Sequence, residues 1–169
     1  TQLDKRLLGE AAPHLISYYQ KRGDEAKVAS WYVRLVSFQQ KARQLEEERA
    51  TVSPDAKYSA LDLERDAIVE LEKELGAIPE VDEAYLARKH SEQFEDASVF
   101  VLAVRRTLGP FSRKMPEEAL QRISSEVILP PQTLIYDLGK SILFGRRLRA
   151  KLKKVEGAQL KLGLDMIES

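Results

Sequence analysis

The sequence predicts an all-α protein, an antiparallel helical bundle of six to seven helices. Three observations carry that expectation. Apolar residues recur at helical spacing over long stretches, and glycines and prolines fall between those stretches. The short apolar run Val127-Ile128-Leu129 is the one stretch that reads as a strand, and nothing else offers it a partner.

The elements follow in order. A first helix ends near Lys21, where Gly23 is a stop signal, with Pro13 near its start or at a kink. Leu15, Ile16, Tyr18 and Tyr19 supply its apolar face. A second, long helix opens at Asp24, a good N-cap. Its stripe places Val28, Trp31, Tyr32, Leu35, Phe38, Ala42 and Leu45 on one side, and Trp31, Tyr32 and Leu35 read as core. Ser53-Pro54 gives an N-cap and a first-turn proline for a third helix through Leu61, Ile68, Leu71 and Leu75, ended by Gly76.

Pro79 starts a fourth helix through Leu86, Phe94, Val101 and Val104 to about Leu108, broken by Gly109-Pro110. A shorter helix follows Met115-Pro116 through Ala119, Leu120 and Ile123, and Val127-Ile128-Leu129 reads as an apolar loop entering Pro130-Pro131. The last long helix carries Leu134, Ile135, Leu138, Ile142, Leu148 and Leu152. Within it, Gly139 and Gly145 either weaken the helix or admit a close backbone approach. Gly157 stops it, and the tail Ala158–Ser169 adds a further turn or two.

The 169 residues suit one domain or two very small ones, and 43% apolar with 32% charged content is that of a folded globular protein. The absence of cysteine removes disulfides, iron–sulfur clusters, thiolate zinc sites and cysteine nucleophiles. It suits a reducing compartment. The longest purely apolar run, Val99–Val104, is far below the ~20 residues of a bilayer span. The start lacks both a signal-peptide core and an initiator Met, as expected of a trimmed chain. Net charge is zero but unevenly placed: residues 1–100 hold 14 basic and 20 acidic groups, and residues 101–169 hold 13 basic and 7 acidic.

No catalytic residues, cofactor or metal site emerge from the motifs. Two histidines, His14 and His90, cannot build a three-His centre, and Glu10-x-x-x-His14 lacks the repeated Glu-x-x-His of carboxylate-bridged metals. There is no phosphate loop, nucleophile elbow or dinucleotide fingerprint, which also argues against a small-molecule substrate. Glu46-Glu47-Glu48 points three ways round a helix and reads as a solvated face.

Two charged features are more organised. Asp62, Asp66, Glu70 and Glu74 recur every fourth residue beside the apolar Leu71 and Leu75. Such a stripe is either a solvated face partly neutralised by Arg65 and Lys73, or a groove for a basic amphipathic helix. Arg146, Arg147, Arg149, Lys151, Lys153 and Lys154 form its counterpart, favoured by the helix dipole and also suited to nucleic acid or an anionic membrane.

The segment Val28-Ala29-Ser30-Trp31-Tyr32-Val33-Arg34-Leu35-Val36-Ser37-Phe38-Gln39 resembles the second helix of the amino-terminal domain of the vacuolar-sorting AAA-ATPase activator, a domain related to one in callose synthases. Pro13-His14-Leu15, Leu71–Gly76, Pro130-Pro131 and Arg149–Gly157 fall in the matching order. The family's Asp-Arg-Ala-Gly-Arg stretch is replaced by Arg105-Arg106-Thr107-Leu108-Gly109, and its final-helix Trp is absent near Leu143-Phe144-Gly145.

The resemblance implies two tandem three-helix modules of the microtubule-interacting and trafficking (MIT) type, here residues 1–78 and 79–169. It also implies a non-enzymatic role in endosomal and multivesicular-body sorting, binding the C-terminal amphipathic helices of ESCRT-III subunits. The chain would then be cytoplasmic and peripheral to endosomal membranes, with the AAA ATPase engaged only through a region outside it. The groove would lie between the second and third helices, with Asp62, Asp66, Glu70 and Glu74 supplying charge and Leu71 and Leu75 apolar contact. A basic-helix module for nucleic acid or anionic membrane, or a structural subunit of a helical assembly, stand as the alternatives.

Overall fold

A computed structural model of the chain describes residues 2–91, 98–108 and 111–163. It divides into two compact units, Thr1–Glu48 and Arg49–Ser169. The first is a helical hairpin of α1 (Gln2–Lys21) and α2 (Glu25–Ala50), the latter running two residues past the unit's end. Gly23, at φ +69°, makes the turn between them. Asp24 caps α2 as its sequence suggests: its Oδ1 accepts from the Lys27 amide at 3.2 Å, and its carbonyl accepts from the Val28 amide. That amide bond, with the Lys27 ammonium, holds the Asp24 carboxyl below its ordinary pKa. Ala12 and Ile16 of α1 are buried, while α2 buries no residue fully. Its inner stripe, Val28, Trp31, Leu35, Phe38, Ala42 and Leu45, is half-buried.

The second unit is a mixed sheet with helices on both faces. β1 (Lys57–Ser59) and α3 (Arg65–Gly76) precede β2 (Glu83–His90), which pairs antiparallel with β3 (Ser98–Leu108) from Glu83↔Arg105 to His90↔Ser98. The short β4 (Phe111–Arg113) turns back on the end of β3. Helix α4 (Glu117–Glu126) then leads to β5 (Thr133–Asp137), which lies parallel to Phe100–Val104 of β3. Helix α5 (Ile142–Leu152) precedes β6 (Gln159–Leu160). Each central strand is thus flanked by two short strands end to end: β2 by β1 and β6, β3 by β4 and β5.

Strand periodicity sorts the core into two layers. Ala84, Leu86, Leu102 and Val104 face α3 and α4, meeting Leu71, Leu75, Ala119 and Ile123. Tyr85, Ala87 and Ala103 face the other way, against Leu148 and Leu152 of α5.

The all-α bundle is therefore corrected to a mixed α/β fold, and the tandem three-helix architecture goes with it. The span read as a fourth helix, Pro79 to Leu108, is the β2–β3 hairpin, with Phe94 and Gly109-Pro110 outside the described residues. The apolar residues at 84–87 and 101–104 serve two cores at once, so no polar face marks the strand centres and helical spacing is matched by chance. The last long helix is β5 followed by α5, divided at Gly139. The third helix starts at Arg65, not at Ser53-Pro54, and α3 packs on the sheet. Val127-Ile128-Leu129 is a loop, as read. Residues 159–160 are β6 rather than a helical turn, and 164–169 lie outside the described residues.

Two glycines hold the β5–α5 corner. A Cβ at Gly145 would stand 2.0 Å from the Leu138 carbonyl oxygen, and one at Gly139 2.2 Å from that of Arg113. Both neighbours are backbone, which cannot rotate aside. Gly145→Ala is expected to lower stability by about 3 kcal/mol, the upper end of ordinary overpacking, because α5 must lift from the sheet. Gly76→Ala, whose Cβ would find its nearest atom at 3.6 Å, is expected to stay within about 1 kcal/mol of the parent. Urea unfolding of both variants checks this; equal stabilities would refute the close approach.

Candidate functional site

The best organised polar cluster centres on Glu83, the first residue of β2, whose side chain is 13% exposed. Arg149 of α5 grips it with two bonds, Nε to Oε2 at 2.8 Å and Nη2 to Oε1 at 2.7 Å. Arg105, opposite Glu83 in the ladder, donates from Nη1 at 3.2 Å, and the Tyr85 hydroxyl donates to Oε1. Lys153 stands 3.9 Å from the same oxygen. Burial alone would raise the Glu83 carboxyl, but the bonds from Arg149, Tyr85 and Arg105 outweigh it and hold it below its ordinary pKa. The same contact raises Tyr85 above the usual phenol range, burial being the larger cause and the Glu83 bond the next.

The cluster escaped the sequence reading because Glu83 and Tyr85 share a face only if the segment is a strand. A second buried carboxylate, Asp137, accepts from the Met115 amide at 2.9 Å and the Gly139 amide at 2.8 Å, tying the start of α4 to the end of β5. Lys89, also buried, donates to the Thr51 carbonyl at 2.6 Å.

The acidic stripe is dispersed. Asp62 lies ahead of α3, while Asp66 and Glu70 are exposed on it, Glu70 3.7 Å from Lys73. Glu74 accepts from the Ile128 amide at 2.7 Å, and the intervening Glu72 from that of Lys161 at 2.7 Å. Leu71 and Leu75 are buried in the core under α3, so no partner helix reaches them there. The second helix, read as the other wall of that groove, belongs to the other compact unit.

The basic helix is divided in its tasks. Arg149 and Lys153 turn towards Glu83, and Arg147 pairs with Asp55 at 2.7 Å in the open. Arg146, Lys151 and Lys154 are exposed and make no ion pair among the described residues. His90 binds the Ser59 hydroxyl at 2.7 Å and His14 is exposed. Among the described residues, no three His, Asp or Glu side chains gather as a metal site, and no helix is long and apolar enough to cross a membrane.

The hairpin carries the surface most suited to a partner. Tyr32, read as core, is 57% exposed, and Val33 and Val36 are 69% and 38% exposed. With the exposed Ala29 they form a second apolar stripe on α2 at i, i+3, i+4 and i+7, beside the one that α1 covers. The spacing is present in the sequence, but the single stripe expected there takes in Tyr32 and passes over Ala29, Val33 and Val36. A shallow hollow of about 650 Å³ at the hairpin tip is lined by Val28, Ala29, Tyr32 and Val33, with Gln20 and Glu25 at its margin. Arg22 lies 4.7 Å from the Tyr18 ring centre and Arg34 5.0 Å from that of Trp31, so cations border the aromatic residues.

No protein-family model, curated protein or solved structure matches the chain.

The Glu83 cluster makes a pH-dependent prediction. A carboxyl whose folded pKa is lowered contributes stability that is present above its unfolded pKa and lost as pH falls through the folded value. At neutral pH, Glu83→Gln is expected to cost about 2–3 kcal/mol, less than for a fully buried pair because Arg149 is partly open. Near pH 3 the gap between parent and variant is expected to narrow. Urea unfolding at the two pH values measures it, and a gap that widens in acid would contradict the assignment.

Proposed function

We propose that this chain is a non-enzymatic protein-interaction module whose α1–α2 hairpin takes up an amphipathic helix of a partner. One observation carries the reading: α2 has two apolar stripes and its own unit covers only one. A helix apolar on two sides is the middle element of a bundle, and the stripe of Ala29, Tyr32, Val33 and Val36 has the spacing that receives a third helix. Tyrosine suits such a surface, since its ring supplies contact area and its hydroxyl stays wet. The Glu83 cluster has its charges satisfied internally, which supports a structural task for it rather than a catalytic one.

The segment that resembles the sorting-activator family, Val28 to Gln39, lies on α2 and carries this stripe. ESCRT-III-type tails, apolar helices with interspersed Arg or Lys, are therefore the first peptides to offer. The cytoplasmic face of endosomal membranes is the location that goes with them. Both specifics rest on that resemblance alone.

Labelled tail peptides titrated with the chain in fluorescence anisotropy are expected to bind with micromolar Kd, because ordering a tail offsets much of the contact energy. Tyr32→Asp with Val36→Asp is expected to weaken binding about tenfold or more while leaving helical circular dichroism intact. Loss on Asp66→Lys with Glu70→Lys instead would move the site to α3. Sedimentation that shows the stripe closed by a second copy of the chain would replace the partner with self-association.

A further inference from the structure

Helix α5 presents to solvent a face on which apolar and basic residues stand together. Ile142 and Leu143 are 68% and 77% exposed, among the most exposed large apolar residues described. About one and two turns further on, the same face carries Arg146 and Lys151, and Lys154 follows in the turn after the helix; none of the three has an ion pair among the described residues. Lys140 precedes the apolar pair, and the backbone of the exposed Arg113 and Lys114 runs close to Gly139, next to Lys140. Arg147 belongs to the face as well, although Asp55 partly neutralises it.

The helix cannot turn to hide the two residues. Gly145 meets the Leu138 carbonyl without room for a Cβ, and Leu148 and Leu152 are fully buried against the sheet. These contacts fix the rotation of α5 about its axis and leave Leu143 opposite the buried side.

We infer that this face docks on an anionic phospholipid surface, with Ile142 and Leu143 entering the headgroup–acyl boundary and the surrounding lysines and arginines resting on lipid phosphates and carboxylates. The combination decides the ligand class. Cations alone would suit a nucleic acid backbone, but a duplex gives little return for two exposed aliphatic side chains among them. A bilayer takes up both: apolar burial and attraction to anionic headgroups add, and each basic residue near such a surface strengthens binding several-fold.

Vesicle co-sedimentation of the full chain tests this with phosphatidylcholine alone and with phosphatidylcholine containing phosphatidylserine. The expected result is binding to the anionic vesicles only, weakened by added salt. Ile142→Ser with Leu143→Ser and, separately, Arg146→Gln with Lys151→Gln are each expected to lower partitioning about tenfold. All four positions are exposed, so the fold is retained and circular dichroism verifies it. Absence of binding to anionic vesicles overturns the inference. So does binding that Ile142→Ser with Leu143→Ser leaves unchanged, or binding to a DNA or RNA duplex that the same pair does not affect while vesicles are ignored.

Discussion

The α/β unit depends on one constraint: β2 and β3 are apolar on both faces and must be covered on both. Two central strands with Ala84, Leu86, Leu102 and Val104 on one side and Tyr85, Ala87 and Ala103 on the other have no face to give to water. Helices α3 and α4 close one side and α5 the other. The polar devices serve that closure. Asp137 secures the chain between β4 and α4 to the end of β5, and the grip of Arg149 on Glu83 clamps α5 to the start of β2. Gly139 and Gly145 let three backbone segments meet where those layers join.

The hairpin unit obeys the opposite condition. Two helices have one mutual interface, and a helix with two apolar stripes leaves one of them outside it. Its inner stripe is only half-buried, and ring–cation contacts by Arg22, Lys27 and Arg34 cover part of the remaining aromatic surface. The chain thus joins a unit closed by its own contacts to one that leaves an apolar stripe for a further helix. Charge follows the same division on α5, where Arg149 and Lys153 serve the interior and the other cations face solvent.

How much of this was legible depends on local signals. Asp24, Gly23 and the stripe from Val28 to Leu45 marked the hairpin because the capping chemistry and the 3.6-residue period agree there. Met115-Pro116 likewise marked α4, and Pro130-Pro131 a loop. The sheet was hidden. Alternation along β2 and β3 separates two apolar classes instead of apolar from polar, and the pairing that identifies a strand is a non-local property. Val99–Val104, divided between the expected fourth helix and the argument against a bilayer span, was the strongest sign of a doubly buried strand. Of the two readings of Gly139 and Gly145, the close backbone approach holds for both, although Gly139 stands at the corner between a strand and a helix and not inside a helix. The Glu83 cluster joins three elements and had no signature along the chain, whereas the stripe at Ala29, Tyr32, Val33 and Val36 needed only the knowledge that α1 covers one side of α2.

The flanking of each central strand by late-arriving pieces has a consequence for how the chain is made. Translation delivers β2 and β3 well before β5 and β6, so the growing polypeptide holds a sticky two-stranded ribbon whose edges await residues 133–137 and 159–160. The helical hairpin, built from neighbours in sequence, can form as soon as it leaves the ribosome. From the emergence of Leu108 until that of Leu160 the ribbon therefore keeps an open edge, the interval in which pairing with another nascent chain is the chief hazard.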